Sequence, residues 1–476
     1  MAAIKIPSKI IGSRLCMLTW VILIFSFICI IYKIYLLDSF MQSSIHPFSV
    51  STGEEEKPTA LRHVVFGIAA SANMWEQRKN YIKLWYHPNR TRGIVWLDEP
   101  VPLNNSDRAE LPPIQISSEI PFSHPSGRRS AIRISRIILE TLALNLTNVR
   151  WFVMCDDDTV FLPDNLVGVL ANYDHLQYYY IGTSSESHHQ NIKLSNRMAY
   201  GGGGFAISYA LAVLLGKNLD ACIRRYHGFF GSDQRIQACM AELGVPLIRH
   251  SGFHQYDVNG EIFGLLAAHP VVPFVSFHHL DVLSPMFPKH TRIEGLKKIF
   301  QGPVSLDSAG MMQQSFCYDV DGDRTVGVAW GYAVQMVKGK MSPWEMEIPL
   351  RTFKHWTKNW DNYDKHAYAF PIRELPLDHC KRPIVYYLNS SILNGKTDIT
   401  VTKYDNPNRL QFFIGSKNHT CDETTIEEMI VYKLRDPDIW KRSPRRNCCR
   451  VEEKAKKMMR IHVGVCTDDE YKPMMI

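Results

Sequence analysis

Short apolar runs alternate with amphipathic stretches along residues 61–184, and this alternation is the first indication of the fold. The apolar runs predict strands at residues 63–71, 93–100, 151–155 and 178–184. The stretches between them have helical spacing and predict helices at residues 74–87, 127–146 and 163–174. Strands that alternate with helices in this way predict an α/β fold, with a mostly parallel sheet and helices on both of its faces.

The helix predicted at residues 127–146 is clearly amphipathic. Its apolar side is predicted to carry Ile132, Ile134, Ile138 and Leu142. This helix leads directly into the apolar strand predicted at residues 151–155.

Three consecutive aspartates, Asp156, Asp157 and Asp158, follow the strand predicted at residues 151–155. That strand has no polar alternation, which predicts burial on both faces. Three adjacent carboxylates repel one another, so a positive charge is expected beside them. Carboxylate oxygens suit divalent cations such as Mg²⁺ or Mn²⁺, and α/β sheets bind ligands outside the carboxyl ends of their strands. The alternative interpretation is an acidic turn at the surface.

The pattern changes after residue 300, where two β-hairpins are predicted, at residues 324–340 and 383–405. We therefore predict a first domain at residues 61–300 and a β-rich, disulfide-stapled domain at residues 301–476. Cys155 lies in the buried strand and is predicted to stay a thiol. Four disulfides, with a pairing that the sequence does not reveal, could join Cys222, Cys239, Cys317, Cys380, Cys421, Cys448, Cys449 and Cys466.

Residues 15–37 form an apolar stretch that predicts one transmembrane helix. Basic residues precede this stretch and acidic residues follow it, so the positive-inside rule puts residues 1–14 in the cytoplasm and the long C-terminal part in a lumen. Residues 38–60 are polar, with Pro, Ser and Gly, and predict a flexible stem. A cleaved signal peptide is the alternative, but the stretch is longer than the apolar region of a usual signal.

The composition is that of a globular protein: of 476 residues, 45% are hydrophobic and 21% are charged. The formal net charge of +7 comes from scattered Lys and Arg residues, which gives no indication of a nucleic-acid partner. Acceptor motifs for N-glycosylation agree with a secretory lumen and lie at Asn89, Asn104, Asn145, Asn389 and Asn418.

Four consecutive glycines form a further candidate site, at Gly201, Gly202, Gly203 and Gly204. Glycines let a ligand approach the backbone without obstruction by Cβ atoms. The run lacks the Lys-Ser/Thr of a phosphate-binding loop and the third glycine of the dinucleotide fingerprint. A tight turn in a packed fold is the alternative.

Asp233, His278 and His279 complete the set of candidate residues. Asp233 could be a general base or the N-cap of the helix that follows it. The two histidines follow an apolar run, and imidazole is a sound ligand for Mn²⁺. Because neighbouring residues of a strand face opposite sides, only one histidine is expected to point at the aspartates. The alternative for each histidine is a structural role.

Four of these segments, in this order and spacing, resemble the fringe-like, β-1,3-type inverting glycosyltransferases of glycosyltransferase family 31, specifically the plant fringe-related proteins. They are WFVMCDDDTVF, YGGGGFAIS, GSDQR and SFHHLDVLSPMFP. The resemblance covers roughly residues 61–300, and SFCYDVDGD and AWGYAVQ are similar to the C-terminal extension of the plant proteins. It implies a GT-A-like nucleotide-binding glycosyltransferase fold. It also implies a UDP-sugar donor, a glycan or glycoprotein acceptor, and a single-pass type II protein of the Golgi membrane with its catalytic domain in the lumen.

The resemblance also implies the ligands of a Mn²⁺ (or Mg²⁺) ion. Asp158 would bind the metal, and Asp156 or Asp157 would contact the metal or the ribose of the nucleotide. His278 would be the distal ligand, and His279 remains possible because the match can be shifted by one residue.

The remaining candidates also have places in the family pattern. Asp233 falls where the family keeps its catalytic base. The glycines at 201–204 match a segment beside the donor and acceptor sugars. One displacement at the anomeric carbon, with the metal neutralising the leaving diphosphate, would invert that carbon.

Two other functions remain open. Asp156 and Asp158 also fit the start of the haloacid-dehalogenase phosphotransferase motif, although that motif usually ends the first strand of its domain. A membrane-anchored protein that binds glycans without catalysis is the second alternative.

Overall fold

The structure is a computed structural model that describes Trp20 and residues 23–33, 58–120, 128–319, 323–357, 366–407, 425–455 and 457–467. Residues 23–33 are helical with exposed side chains. Residues 15–19, 21–22 and 34–37 of the predicted anchor and residues 38–57 of the predicted stem lie outside the described residues. Within the described residues, no helix combines the length and the apolar character needed to cross a membrane. The membrane anchor stays a prediction.

The first sheet has seven strands, one of which ends at the candidate residue Asp156. The strands described up to residue 300 are β1 (Val64–Ala69), β2 (Arg92–Leu97), β3 (Ile114–Ile116), β4 (Trp151–Asp156), β5 (Val160–Phe161), β6 (Tyr180–Gly182), β7 (Phe205–Ser208), β8 (Leu247–Arg249), β9 (Val258–Gly260) and β10 (Ser276–Phe277). The sheet has the order β3-β2-β1-β4-β7-β6-β8. Four of its six neighbouring pairs are parallel, and only β7 runs antiparallel to its neighbours. The mostly parallel sheet is confirmed.

Helices cover both faces of this sheet, as predicted. From residue 58 onward, the described α-helices are α1 (Trp75–Trp85), α2 (Asn105–Glu110), α3 (Arg129–Ala143), α4 (Pro163–Leu170), α5 (His188–Lys193), α6 (Tyr209–Gly216), α7 (Leu219–Arg225), α8 (Ser232–Glu242), α9 (Phe263–Ala267), α10 (Arg292–Ile299), α11 (Ser305–Asp307) and α12 (Pro343–Glu347). Shorter 3-10 or π turns lie at Leu61–His63, Gly201–Gly203, Phe300–Val304, Ser308–Gly310, His379–Lys381 and Ile439–Lys441.

Alternate residues of the central strands enter two apolar clusters, because successive side chains of a strand face opposite sides. Phe66 of β1 packs in one cluster with Trp85 of α1. Val65 of the same strand belongs to the other cluster, together with Ile138 of α3. The sheet is therefore buried on both faces, as the apolar strand before the aspartates indicated.

The apolar side predicted for α3 is confirmed in part. Ile132 and Ile138 are buried, whereas Ile134 and Leu142 are only half-buried. Ile137, which was not predicted, is also buried. The buried side of the helix is thus rotated slightly from the predicted one.

A second sheet contains the β structure predicted after residue 300. The strands described after residue 300 are β11 (Gln314–Asp319), β12 (Arg324–Ala329), β13 (Ala333–Lys338), β14 (Phe353–His355), β15 (Ile384–Asn394), β16 (Ile399–Asp405), β17 (Glu428–Leu434), β18 (Cys448–Ala455) and β19 (Met458–Gly464). Eight of these strands form a sheet in the order β11-β12-β13-β15-β16-β17-β19-β18. Both predicted hairpins, β12–β13 and β15–β16, are confirmed.

The described cysteines agree with the predicted disulfide framework. Cys155 is a buried thiol, as predicted. Cys380 is disulfide-bonded, and Cys421 lies outside the described residues. The other disulfides join Cys222 to Cys239, Cys317 to Cys449, and Cys448 to Cys466.

The residues described from Thr59 onward form one compact unit. Strand β14 lies outside the second sheet and pairs antiparallel with β9. Phe263 of α9 contacts the rings of Tyr332 and Tyr387 in the second sheet region, with centroids 6.3 Å apart in each pair. The division of function between residues 61–300 and 301–476 stays a prediction.

A buried ion pair joins the second sheet to the segment before it, and we expect its loss to be costly. Lys433 of β17 pairs with Asp307 of α11, and their side chains are 1% and 0% exposed. The variant Lys433→Met leaves the carboxylate buried without its partner, which should lower the free energy of unfolding by roughly 3–5 kcal/mol in urea denaturation. Lys441→Met is the control, because Lys441 and its partner Asp438 are 78% and 65% exposed. Equal losses in the two variants would contradict the expectation.

Candidate active site

The three aspartates lie at the carboxyl end of β4 and are directed into the fold. The side chain of Asp156 is 35% exposed, whereas those of Asp157 and Asp158 are 4% and 2% exposed. The hydroxyl of Thr159 accepts a hydrogen bond from the Asp156 backbone N–H at 3.1 Å and donates one to the Gly202 carbonyl at 2.7 Å. The burial of two carboxylates excludes an acidic turn at the surface.

Arg78 of α1 supplies the positive charge that the triplet requires. Its guanidinium lies 2.9 Å from Asp157 Oδ1 and 3.1 Å from Asp158 Oδ2. The same group reaches Asp281 Oδ2 at 2.9 Å, just beyond the two histidines. Asp281 also accepts hydrogen bonds from Tyr81 at 2.8 Å and Gln77 at 3.2 Å. One helix therefore holds the aspartate turn and the histidine segment together.

His278 faces Asp156 and Asp158 from the opposite side of the site. Its Nε2 lies 3.3 Å from Asp158 Oδ1 and 3.7 Å from Asp156 Oδ2. Its Nδ1 lies 3.1 Å from the carbonyl oxygen of Gln255, a contact that orients the ring. The structure thus brings together three of the four predicted metal ligands.

The charges in this cluster are unevenly distributed. Burial raises the pKa of Asp156 to about 7 and the pKa of Asp157 to about 6. Burial also acts to raise the pKa of Asp158, but the charges of His278 and Arg78 outweigh it and hold that pKa below its usual range. Burial lowers the pKa of His278, yet the two carboxylates raise it to about 9. A bound cation would replace the proton on His278 as the counter-charge of the carboxylates.

The residues fit a divalent metal ion. Asp156, Asp158 and His278 each offer one ligand atom, and these atoms lie within 4.8 Å of one another. The buried Oδ1 of Asp158 has no well-aligned hydrogen-bond partner in the described part of the chain. Two carboxylate oxygens and one imidazole nitrogen are a donor set suited to Mn²⁺.

His279 lies beside this cluster but faces another acid. Its Nδ1 is 3.2 Å from Asp257 Oδ1. Strand β10 ends at Phe277, and His279 has a left-handed backbone with φ 55°, so the expected strand alternation is wrong here. The rings of His278 and His279 instead lie side by side, with centroids 3.9 Å apart. The geometry favours His278 as the ligand.

The glycine run leaves room for the side chains of the site. A Cβ on Gly201 would lie 2.8 Å from Asp233 Oδ1, and one on Gly202 would lie 2.0 Å from the ring of His278. Gly204 has φ +80°, a conformation that L side chains rarely adopt. The packing of Asp233 and His278 requires Gly201 and Gly202, and the backbone conformation requires glycine at 204. A direct contact of the run with a donor or acceptor sugar stays a prediction.

Asp233 lies in the first turn of α8, next to the aspartate triplet. The N-cap of α8 is Gly231, so the N-cap interpretation of Asp233 is wrong. Asp233 and Asp156 line one small cavity of about 20 Å³ together with Gly201. Burial raises the pKa of Asp233 to about 6. The Asp233 carboxylate, which accepts a hydrogen bond from the Ser232 hydroxyl at 3.2 Å, thus shares a cavity with the candidate metal ligand Asp156.

Sequence reasoning missed Arg78, Gln255 and Asp257. Arg78 is separated from Asp157 by 79 residues, and nothing in its local sequence distinguishes it from the other basic residues of α1. Asp281 lies within the segment SFHHLDVLSPMFP, but its position there gives no indication that it binds Arg78. Such partners come from the tertiary fold alone.

Comparisons with known proteins point to a family and to one curated relative. The model of the family described as "Protein of unknown function, DUF604" matches residues 190–449. The β-1,3-N-acetylglucosaminyltransferase lunatic fringe of Mus musculus is 33% identical over 129 residues, which are 23% of this chain and 33% of that protein. The chain therefore spans about a third of the length of the curated relative it matches.

A crystal structure of an active-site mutant of LgtC is also similar to part of the chain. The TM-score is 0.31 and the sequence identity is 14%, over 49% of this chain and 94% of LgtC. A likeness at this level supports no argument about fold or function.

Proposed function

The chain belongs to the DUF604 family, and we propose that it is a metal-dependent inverting glycosyltransferase. It would move a hexose from a UDP-sugar to a hydroxyl of a glycan or glycoprotein, with a GT-A-type catalytic fold. The observation that carries the proposal is the cluster of Asp156, Asp158 and His278, whose ligand atoms lie within 4.8 Å of one another, beside the carboxylate of Asp233. A β-1,3 linkage is proposed from the partial similarity to lunatic fringe.

Asp156, Asp158 and His278 would hold Mn²⁺ in this proposal. The ion, when bound, supplies positive charge to the diphosphate that leaves the donor sugar. Arg78 keeps the carboxylates of Asp157 and Asp158 oriented, because its guanidinium contacts both. His278 is oriented by Gln255 through its other ring nitrogen. These contacts keep the carboxylates and the imidazole oriented as ligands for the metal ion.

Asp233 would act as the general base beside the metal site. Its carboxylate would take the proton of the acceptor hydroxyl as the oxygen of that hydroxyl bonds to the anomeric carbon. The bond from the anomeric carbon to the UDP oxygen breaks on the opposite face, and UDP departs with the electron pair. A single displacement gives inversion, so an α-linked donor yields a β-linked product.

A donor screen tests the proposed function. Full-length protein is incubated with Mn²⁺, a glycan acceptor panel and UDP-glucose, UDP-galactose or UDP-N-acetylglucosamine, and released UDP is measured. Acceptor-dependent release of UDP from one donor supports the proposal. A covalent aspartyl-phosphate on Asp156 would indicate a phosphotransferase instead, and sugar binding without any release of UDP would indicate a glycan-binding protein.

The cellular setting is part of the same proposal. We place the protein in the Golgi membrane as a single-pass type II protein, with residues 15–37 as the anchor and the catalytic part in the lumen. The side chains of Asn89, Asn104, Asn145 and Asn389 are exposed, as glycan acceptors in a lumen must be. The disulfides also suit an oxidising lumen.

The pH dependence of transfer should report the ionisation of Asp233. Burial raises the pKa of this carboxyl to about 6, and a general base acts only when it is deprotonated. At saturating Mn²⁺ and acceptor, we expect kcat/KM for the donor to rise from pH 5 to pH 7 and to fall about tenfold per pH unit well below the pKa. Asp233→Glu, which keeps a carboxylate, is the control and should retain an acidic limb at a different pH. A flat profile between pH 5 and pH 7 would argue against Asp233 as the base.

A further inference from the structure

His279 holds a backbone conformation that needs support from its surroundings. Its φ of 55° lies in the left-handed region, which is unfavourable for a non-glycine residue. Such strain persists only where neighbouring contacts fix the residue. His279 directly follows the candidate ligand His278, so the contacts that fix it also bear on the metal site.

Two side chains hold the ring of His279. Asp257 Oδ1 lies 3.2 Å from its Nδ1. The ring of Trp356 stacks on the imidazole, with centroids 4.5 Å apart and planes 14° from parallel. On its other side, His279 contacts the ring of His278 at a centroid distance of 3.9 Å. The three rings therefore form a continuous row that ends at the aspartates.

Trp356 belongs to the region beyond residue 300, and its backbone is held by β9, which lies before that residue. Strand β14 pairs with β9 and ends at His355, directly before Trp356. The Asn259 side-chain amide donates hydrogen bonds to the carbonyl oxygens of His355 at 2.8 Å and Trp356 at 2.9 Å. The backbone that carries the indole is thus fixed beside the site, where the indole stacks on His279.

From this arrangement we infer that Trp356 is a positioning residue of the metal site, through which the C-terminal region sets the geometry of His278. Loss of the indole face would let His279 leave its left-handed conformation and carry His278 away from Asp156 and Asp158. This inference rests on the proposed function for the presence of a metal. Its test reads metal binding directly and needs no glycosyl transfer.

Binding of Mn²⁺ to the full-length protein in saturating UDP, followed by electron paramagnetic resonance of the free ion, provides the test. We expect Trp356→Ala to weaken Mn²⁺ binding at least about tenfold, the range found when partners of metal ligands are removed. Trp356→Phe keeps an aromatic ring that can stack on His279 and should bind Mn²⁺ within about threefold of the unaltered protein. Trp356→Leu keeps an apolar side chain but has no ring to stack, so its binding of Mn²⁺ should be as weak as that of the Ala variant. Trp344→Ala is the matched control, since Trp344 lies in the same region and is 71% exposed.

The outcomes separate this inference from the proposed function. Weak binding by the Ala and Leu variants, with the Phe variant and the Trp344 control near the unaltered protein, supports the positioning role. Equal binding by the Phe and Leu variants overturns it, even where Trp356→Ala fails to fold. If the unaltered protein binds no Mn²⁺ in the presence of UDP, the proposed function fails at the same time.

Discussion

Asp158→Asn should abolish both glycosyl transfer and the Mn²⁺-dependent binding of UDP. The amide keeps the shape of the side chain but removes the charge that Asp158 contributes beside Asp156 and His278. We expect kcat/KM for the donor to fall at least about a thousandfold, which corresponds to roughly 4 kcal/mol of transition-state stabilisation. UDP release at saturating donor and isothermal titration of UDP with and without Mn²⁺ measure the two losses.

Asp164→Asn is the control for this variant. Asp164 lies in the first turn of α4, shortly after the triplet, and its side chain is 51% exposed beside Arg90. The same change from acid to amide should leave transfer and UDP binding near their original values. Should Asp158→Asn still bind UDP in a Mn²⁺-dependent way, the assignment of Asp158 as a metal ligand is wrong, whatever its effect on turnover.

Asp233→Asn should lose turnover while it retains Mn²⁺-dependent UDP binding. Asp233 belongs to the pocket that Asp156 lines, but it is outside the set of three ligand residues. A general base contributes about a hundredfold to ten-thousandfold to the rate, and the loss should lie in that range. The same two assays, UDP release and UDP titration, separate chemistry from donor binding. This contrast with Asp158→Asn is the sharpest expectation of the proposed mechanism.

Asp220→Asn is the matched control for Asp233→Asn. Asp220 lies on the preceding helix α7, where it pairs with Arg136 and its side chain is 33% exposed. Its loss should leave turnover nearly unchanged. Normal turnover by Asp233→Asn would exclude Asp233 as the base and leave the metal site without a partner for catalysis.

The pattern of apolar and polar residues predicts several of the strands and helices around the first sheet. Strands β1, β2 and β4 and helices α1 and α3 lie within a few residues of their predicted bounds. The periodicity of burial determines these elements, and each is read within one short stretch of chain. The antiparallel position of β7 and the order of the strands depend on pairings between distant segments, which periodicity does not encode.

The candidate site is predictable in its residue types and less so in its contacts. The sequence indicates that a cation must lie beside the aspartates, but it does not identify Arg78, which comes from a helix before the second strand. It also suggests that the glycines face a ligand, whereas Gly201 and Gly202 leave room for Asp233 and His278. The choice between the two histidines depends on a left-handed residue at 279, which no alternation rule anticipates.

The pairing of β9 with β14 has a practical consequence for making the protein in a heterologous host. A truncated chain that stops at residue 300 would leave the edge of β9 unpaired and uncover the ring of Phe263, which normally contacts Tyr332 and Tyr387. Exposed edges and aromatic surfaces of this kind promote aggregation. The shortest soluble product should therefore include the second sheet, and its cysteine bonds call for a host compartment that supports oxidation.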